Sequence, residues 1–116
     1  MNPELLSLAR NLLRSPDWVW LPGMLGVRDA EGFSDHLKPE VRIGGEKDAE
    51  MAQAFGSLPD LNDPATAGCL LHRLGSRWAV LVRDSERSVR LRGEGKRYEG
   101  SSLGEVCAKA LLSSPL

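Results

Sequence analysis

Apolar residues recur at helical spacing near the start of the chain. Leu5, Leu6, Ala9, Leu12 and Leu13 fall on one face of a helix. Asn2 is placed to cap that helix, Pro3 to occupy its first position, and Glu4 to meet the positive end of its dipole. Arg10 and Arg14 suit the opposite end, and Ser15-Pro16 stops the helix because a residue before proline avoids helical geometry. The spacing predicts a helix over Pro3–Arg14. A β-prone run, Trp18-Val19-Trp20-Leu21, follows, then the turn signal Pro22-Gly23 and the apolar Met24-Leu25-Gly26-Val27. Val41-Arg42-Ile43 is a second strand candidate, so a loose hairpin is expected around the polar stretch Arg28 to Lys38. On a strand, Trp18 and Trp20 share one face, and core packing is the expected role of all three tryptophans.

Asp48 to Phe55 reads as a short helix capped by Asp48 and closed by Gly56, and Gly56 to Asp63 reads as a loop. Asp63-Pro64 repeats the cap-then-proline signal. The run to Leu74 is nearly all apolar and ends at Gly75, so it is expected to be the most buried helix. Arg77 to Arg83 reads as a strand and Asp84 to Arg87 as a turn. In Ser88-Val89-Arg90-Leu91-Arg92 the residue type alternates strictly, which puts Val89 and Leu91 inward and Arg90 and Arg92 outward. Gly93-Glu94-Gly95 turns the chain into a third strand from Lys96 to Glu99. Ser102 and Glu105 form a capping box for a last helix whose apolar face holds Leu103, Val106, Cys107, Ala110 and Leu111. These elements predict one domain over residues 1–116. Its class is α+β: a mostly antiparallel sheet, made of a β-hairpin and a C-terminal β-meander, packed with about four helices.

Composition narrows the function classes. Fifteen basic against sixteen acidic residues give a net charge of −1, which argues against a simple polybasic binder of nucleic acid or membrane. Two cysteines are too few for a disulfide scaffold, and no apolar run approaches the roughly 20 residues of a membrane span. Met1 to Leu13, with Glu4 early and no basic-then-apolar order, does not read as a signal peptide. The expectation is a soluble protein of the cytoplasm.

Catalytic motifs fail on inventory. Gly100-Ser101-Ser102-Leu103-Gly104 matches the nucleophile elbow G-x-S-x-G, but no histidine follows Ser102 and Glu105 is the only later acid. A capped helix start explains the same residues. Gly95-Lys96 lacks the remaining P-loop positions, which are Arg90 and Arg97 here. Cys69, His72, Cys107 and His36 are the one set able to hold a metal tetrahedrally. Both cysteines lie in apolar helical runs, where they behave as small hydrophobes, so buried and metal-free thiols are expected. The acids between Asp29 and Asp63 show no spacing that singles out a catalytic pair. The reading is therefore of no enzyme, no catalytic residue, no metal and no cofactor.

Charge is distributed unevenly. Asp29 to Asp63 holds nine acids against three bases, a local −6, and Arg73 to Arg97 holds eight bases against three acids, a local +5. Arg83, Arg87, Arg90, Arg92 and Arg97 fall on or beside one hairpin and are the candidate contacts for a partner or nucleic acid. Arginine also blunts strand edges and solvates outward positions, and the chain's own acidic segment is available to offset these charges.

Leu21-Pro22-Gly23-Met24 and the run from Leu58 to Leu71, LPDLNDPATAGCLL, carry a resemblance. The second run is similar to the PDL-x-DPAT-x-GCLL stretch of small phage and prophage proteins of unknown function. Those proteins also resemble this chain in a tryptophan-containing strand pair followed by a helix like Ser102-Leu103-Gly104-Glu105-Val106. Ala67 stands where a leucine is common. The resemblance implies a phage or bacterial origin and the cytoplasm of a bacterial host, and it transfers no catalytic residue. The leading expectation is a non-enzymatic module that binds an unknown protein partner and no membrane. The alternative is a nucleic-acid-binding protein that uses the arginine-rich hairpin, residues 83–97.

Overall fold

The computed structural model describes residues 3–27, 40–54, 56–83 and 88–113, and the side chains of all of these but Val82 and Arg83. The described chain is α+β, with four helices and two small antiparallel sheets of three strands each. Helix α1 (Pro3–Arg14) buries Leu5, Ala9 and Leu12, the face that the spacing predicts. The Asn2 cap, the Arg28–Lys38 stretch and the Asp84–Arg87 turn lie outside the described residues.

The first sheet has the order β2-β1-β3, with β1 (Leu25–Val27) between β2 (Glu40–Arg42) and β3 (Leu58–Pro59). Leu25 pairs with Arg42 and Val27 with Glu40, so the expected hairpin forms, but its first strand is Leu25–Val27 and not Trp18–Leu21. The two tryptophans serve instead as cover. Trp18 and Trp20 meet edge to face at 5.3 Å between ring centroids. The Trp20 ring lies over Gly26, so near that a methyl there would sit 3.3 Å from it. The residues from Gly56 to Asp63, expected as a loop, include β3, which pairs Gly26 with Pro59. Helix α2 spans Glu46–Ala54, and Asp48 lies inside its first turn rather than capping it. From there its carboxylate accepts a hydrogen bond from Gly44 N at 2.9 Å.

Helix α3 (Pro64–Leu74) starts on the Asp63 cap and ends at Gly75, whose φ is 93°. The second sheet follows in the order β4-β5-β6, with β4 at Ala79–Arg83, β5 at Ser88–Gly93 and β6 at Lys96–Gly100. Trp78 precedes β4, and its ring packs over Gly93, where a Cβ would lie 2.5 Å from the ring. Helix α4 (Leu103–Ser113) opens on Ser102, whose Oγ accepts from Glu105 N at 3.3 Å. The Glu105 carboxylate reaches back to Ser101 N at 3.0 Å, one residue before the position that a standard capping box uses.

The most buried helix is α4, not α3. Gly104 to Ala108 and Ala110 are all buried in α4, whereas α3 buries Thr66, Ala67 and Leu70. The reason is position: α4 is packed against two helices, α1 and α3, and against two strands, β5 and β6. Its Val106, Cys107 and Ala110 join Leu5, Ala9, Leu12, Val89 and Leu91 in one core, which also takes in Met24, Ile43 and Leu61. No helix of the described chain is long and apolar enough to cross a membrane.

Candidate functional site: the arginine face of the second sheet

The alternation in β5 holds. Val89 and Leu91 are buried, and Arg90 and Arg92 project from the opposite face. The turn to β6 is a two-residue one, with Glu94 at φ 52° and Gly95 at φ 76°. Left-handed geometry at both positions is the type I′ pattern that matches strand twist. This turn sets the register, which places Arg90 opposite Glu99 and Arg92 opposite Arg97.

The two pairs differ in sign. Arg90 Nε donates to Glu99 Oε1 at 3.0 Å, a charge-assisted bond across the strands. Arg92 faces a second guanidinium at the same kind of position. Like charges directly opposite on a sheet destabilise it. Among the described residues no carboxylate lies within ion-pair distance of Arg92 or Arg97. A shallow hollow of about 430 Å³ lies at this end of the hairpin, lined by Arg92, Gly93, Gly95, Lys96 and Arg97. On the neighbouring strand, Leu81 is 50% exposed and pairs with Arg90, so an apolar side chain borders the basic patch.

Of the five candidate arginines, Arg90, Arg92 and Arg97 therefore share one face. Arg83 ends β4, but its side chain and all of Arg87 lie outside the described residues. Among the described residues, none of these arginines pairs with the acidic segment. Arg90 is neutralised by its strand neighbour, and the basic residue that does bond to the acidic segment is its own Arg42.

The Arg42 bond belongs to a cluster that the sequence only half disclosed. Asp63 Oδ2 accepts from Thr66 N at 3.0 Å, as a cap should, and also from Thr66 Oγ1 at 2.9 Å and Arg42 Nη1 at 2.7 Å. Arg42 Nη2 donates to Asp63 Oδ1 at 3.2 Å, and Nη1 also donates to Gly23 O at 2.9 Å. The fully buried Thr66 hydroxyl in turn accepts from Leu25 N at 2.8 Å. The Arg42 guanidinium, aided by Thr66, holds the Asp63 carboxyl below the usual carboxylate range despite partial burial. The signal in the sequence was a threonine in an otherwise apolar helix. The cluster ties β1, β2 and the start of α3 together and presents no free group for chemistry.

The remaining candidates are dispersed. Cys107 is buried, and burial pushes its thiol up to about 12. Cys69 is only partly buried, which corrects the expectation for it, because the side of α3 that carries it faces the Pro22 turn. Its Sγ donates to Pro22 O at 3.5 Å, and burial followed by the charge of Asp63 raises its thiol. Among the described residues no three His, Cys, Asp or Glu side chains gather as metal ligands, and His36 lies outside them. His72 is exposed beside a hollow of about 530 Å³ formed with Gly68, Leu71, Gly75, Ser76 and Trp78, which offers it no acid. Ser102 is engaged as the α4 cap. Comparison with known proteins finds no matching family model, no similar curated protein and no similar solved structure.

Proposed function

We propose that the protein is a non-enzymatic binding module whose outer second-sheet face holds an acidic surface of a protein partner. The observation that supports this most is the opposition of Arg92 and Arg97 with no carboxylate of their own among the described residues. A partner carboxylate placed between the two guanidiniums converts their repulsion into two charge-assisted bonds. Half-exposed Leu81, opposite Arg90 on the same face, favours a protein surface over a polyanion, because it adds an apolar contact that a phosphate backbone does not use. Among the described residues no aromatic side chain stands on this face for bases to stack on, since Trp78 and Tyr98 pack together against the core. Free Cys69 and Cys107 suit a reducing compartment, in keeping with the bacterial cytoplasm that the resemblance implies.

The test is a titration with two labelled probes, a peptide of alternating glutamate and leucine and a duplex DNA of mixed sequence. The peptide is expected to bind, and Arg92→Ala with Arg97→Ala to abolish binding. No duplex binding is expected at physiological salt. Tighter binding of the duplex, with a log–log salt slope of about −0.9 per phosphate engaged, transfers the site to nucleic acid. Absence of peptide binding even at low salt overturns the proposal.

A further inference from the structure

The β5–β6 turn also fixes which backbone groups of β4 are free. A two-residue hairpin closes on a hydrogen-bonded pair, here Gly93 and Lys96. Such pairs alternate along an antiparallel ladder. Leu91 and Val89 therefore bond to β6, while Arg92, Arg90 and Ser88 turn their backbone groups to β4. Their partners there are Ala79, Leu81 and Arg83. Val80 and Val82 are left with their N–H and C=O groups directed away from the sheet.

Among the described residues nothing takes up those groups. β4 is an edge strand, and α4 covers β5 and β6 instead. Natural sheets protect an edge with lysine, proline, a bulge or a covering element. Ala79-Val80-Leu81-Val82-Arg83 has neither lysine nor proline, its one charged residue, Arg83, stands at the end of the strand, and Leu81 stands half-exposed at its centre.

We propose that β4 pairs antiparallel with β4 of a second copy of this chain, about a two-fold axis at Leu81. In that register Val80 lies opposite Val82, Ala79 opposite Arg83, and Leu81 opposite Leu81. Each Val80–Val82 pair exchanges two N–H···O=C bonds, so four bonds close the interface. The central leucines meet as a non-hydrogen-bonded pair, where the strands bring side chains closest together. Each then covers its counterpart's exposed side.

A second copy fits better than an unrelated strand for two reasons. The sequence matches itself, with an apolar residue opposite an apolar residue at all three central positions. Electrostatics also allow it. The Arg90 side chains of the two copies lie three strand spacings apart, roughly 14 Å, beyond the screening length of ~8 Å at physiological salt. Five-residue strands bury little area, so the dimer is weak and forms at high protein concentration. Leu81 borders both surfaces, but the pairing is carried by the edge backbone of β4, and it stands whether or not Arg92 and Arg97 bind an acidic partner.

Sedimentation of the whole protein over a concentration series reaching the millimolar range tests the pairing. A monomer–dimer equilibrium is expected, and Leu81→Lys should weaken it about tenfold or more by setting two ammonium groups opposite each other. Leu81 is exposed enough for that variant to keep its far-ultraviolet dichroism and urea midpoint. In a Cys69→Ser background, Leu81→Cys should form an intermolecular disulfide under mild oxidation. Ala79→Cys should not, because it faces Arg83. A monomer at every concentration overturns the proposal. So does a dimer indifferent to Leu81→Lys, equal cross-linking through position 79, or a ladder of larger oligomers.

Discussion

The two sheets have the same number of strands and hold together by different means. In the second, strands of five and six residues are joined to their sequence neighbours, and β5 buries Val89 and Leu91 beneath α4. Its stability comes from a local hairpin and a repeated apolar face. The first sheet has strands of two and three residues drawn from distant parts of the chain, with Val27 set opposite both Glu40 and Leu58. A strand that short carries at most two inward side chains. What secures it is the Arg42–Asp63–Thr66 cluster, which fastens β1 and β2 to the start of α3. One sheet should fail by losing packing and the other by losing a polar clasp.

The largest expected effect is on the packed sheet. Leu91 is fully buried at the middle of β5. Leu91→Ala should destabilise the fold by about 4 kcal/mol through lost burial and the cavity left under α4. Urea unfolding checks this, and an unchanged midpoint would mean that α4 does not rely on β5.

Next comes the clasp. Asp63→Ala should cost about 2 kcal/mol, more than the ~1 kcal/mol of a helix cap alone, because Thr66 Oγ1 also loses its acceptor. A loss no greater than that of an ordinary cap would show the first sheet to be held by packing instead. The same carboxylate makes the clasp sensitive to acid. Its folded pKa lies below the unfolded value of about 3.9, so its stabilisation is complete above that pH. It is lost as pH falls through the lower, folded value. Stability of the wild type should thus drop more steeply below pH ~4 than that of Asp63→Asn, which lacks the titrating group. Parallel curves for the two proteins would remove Asp63 as the source.

This contrast also explains what the sequence disclosed. The meander was legible because five or six residues suffice to show alternation, and Glu94-Gly95 marks its turn. Helices α1, α3 and α4 were legible from their caps and apolar spacing. β3 was hidden because two residues make no pattern and one of them is proline, which is tolerated there as a short edge strand. Trp18–Leu21 has strong β propensity, yet it became cover over Gly26 because aromatic area was worth more to the core than a ladder position. The burial of α4 was hidden for a related reason. Its composition resembles that of α3, and only the tertiary arrangement packs it against two helices and two strands at once. Of the candidate site, the outward arginines could be read directly. The pairing of Arg90 with Glu99 and the opposition of Arg92 to Arg97 needed the register.

The smallest effect bears on that opposition. Arg97→Glu turns the Arg92–Arg97 position into an opposite-charge pair like Arg90–Glu99. Cross-strand charge pairs are worth roughly 0.2 to 1 kcal/mol, and exposure to solvent puts this one at the low end. The variant should therefore unfold at a slightly higher urea concentration than the wild type, and added salt should shrink the gain by screening both the old repulsion and the new attraction. The same change should abolish binding of the acidic peptide, since a carboxylate built into the sheet occupies the place of the partner's. A more stable protein that no longer binds would show that the wild type keeps an unfavourable pair on its surface for the sake of an outside ligand. An Arg97→Glu protein of lower stability would show instead that the two guanidiniums are already reconciled within the chain, and the arginine face would then have no more claim to a partner than the clasp does.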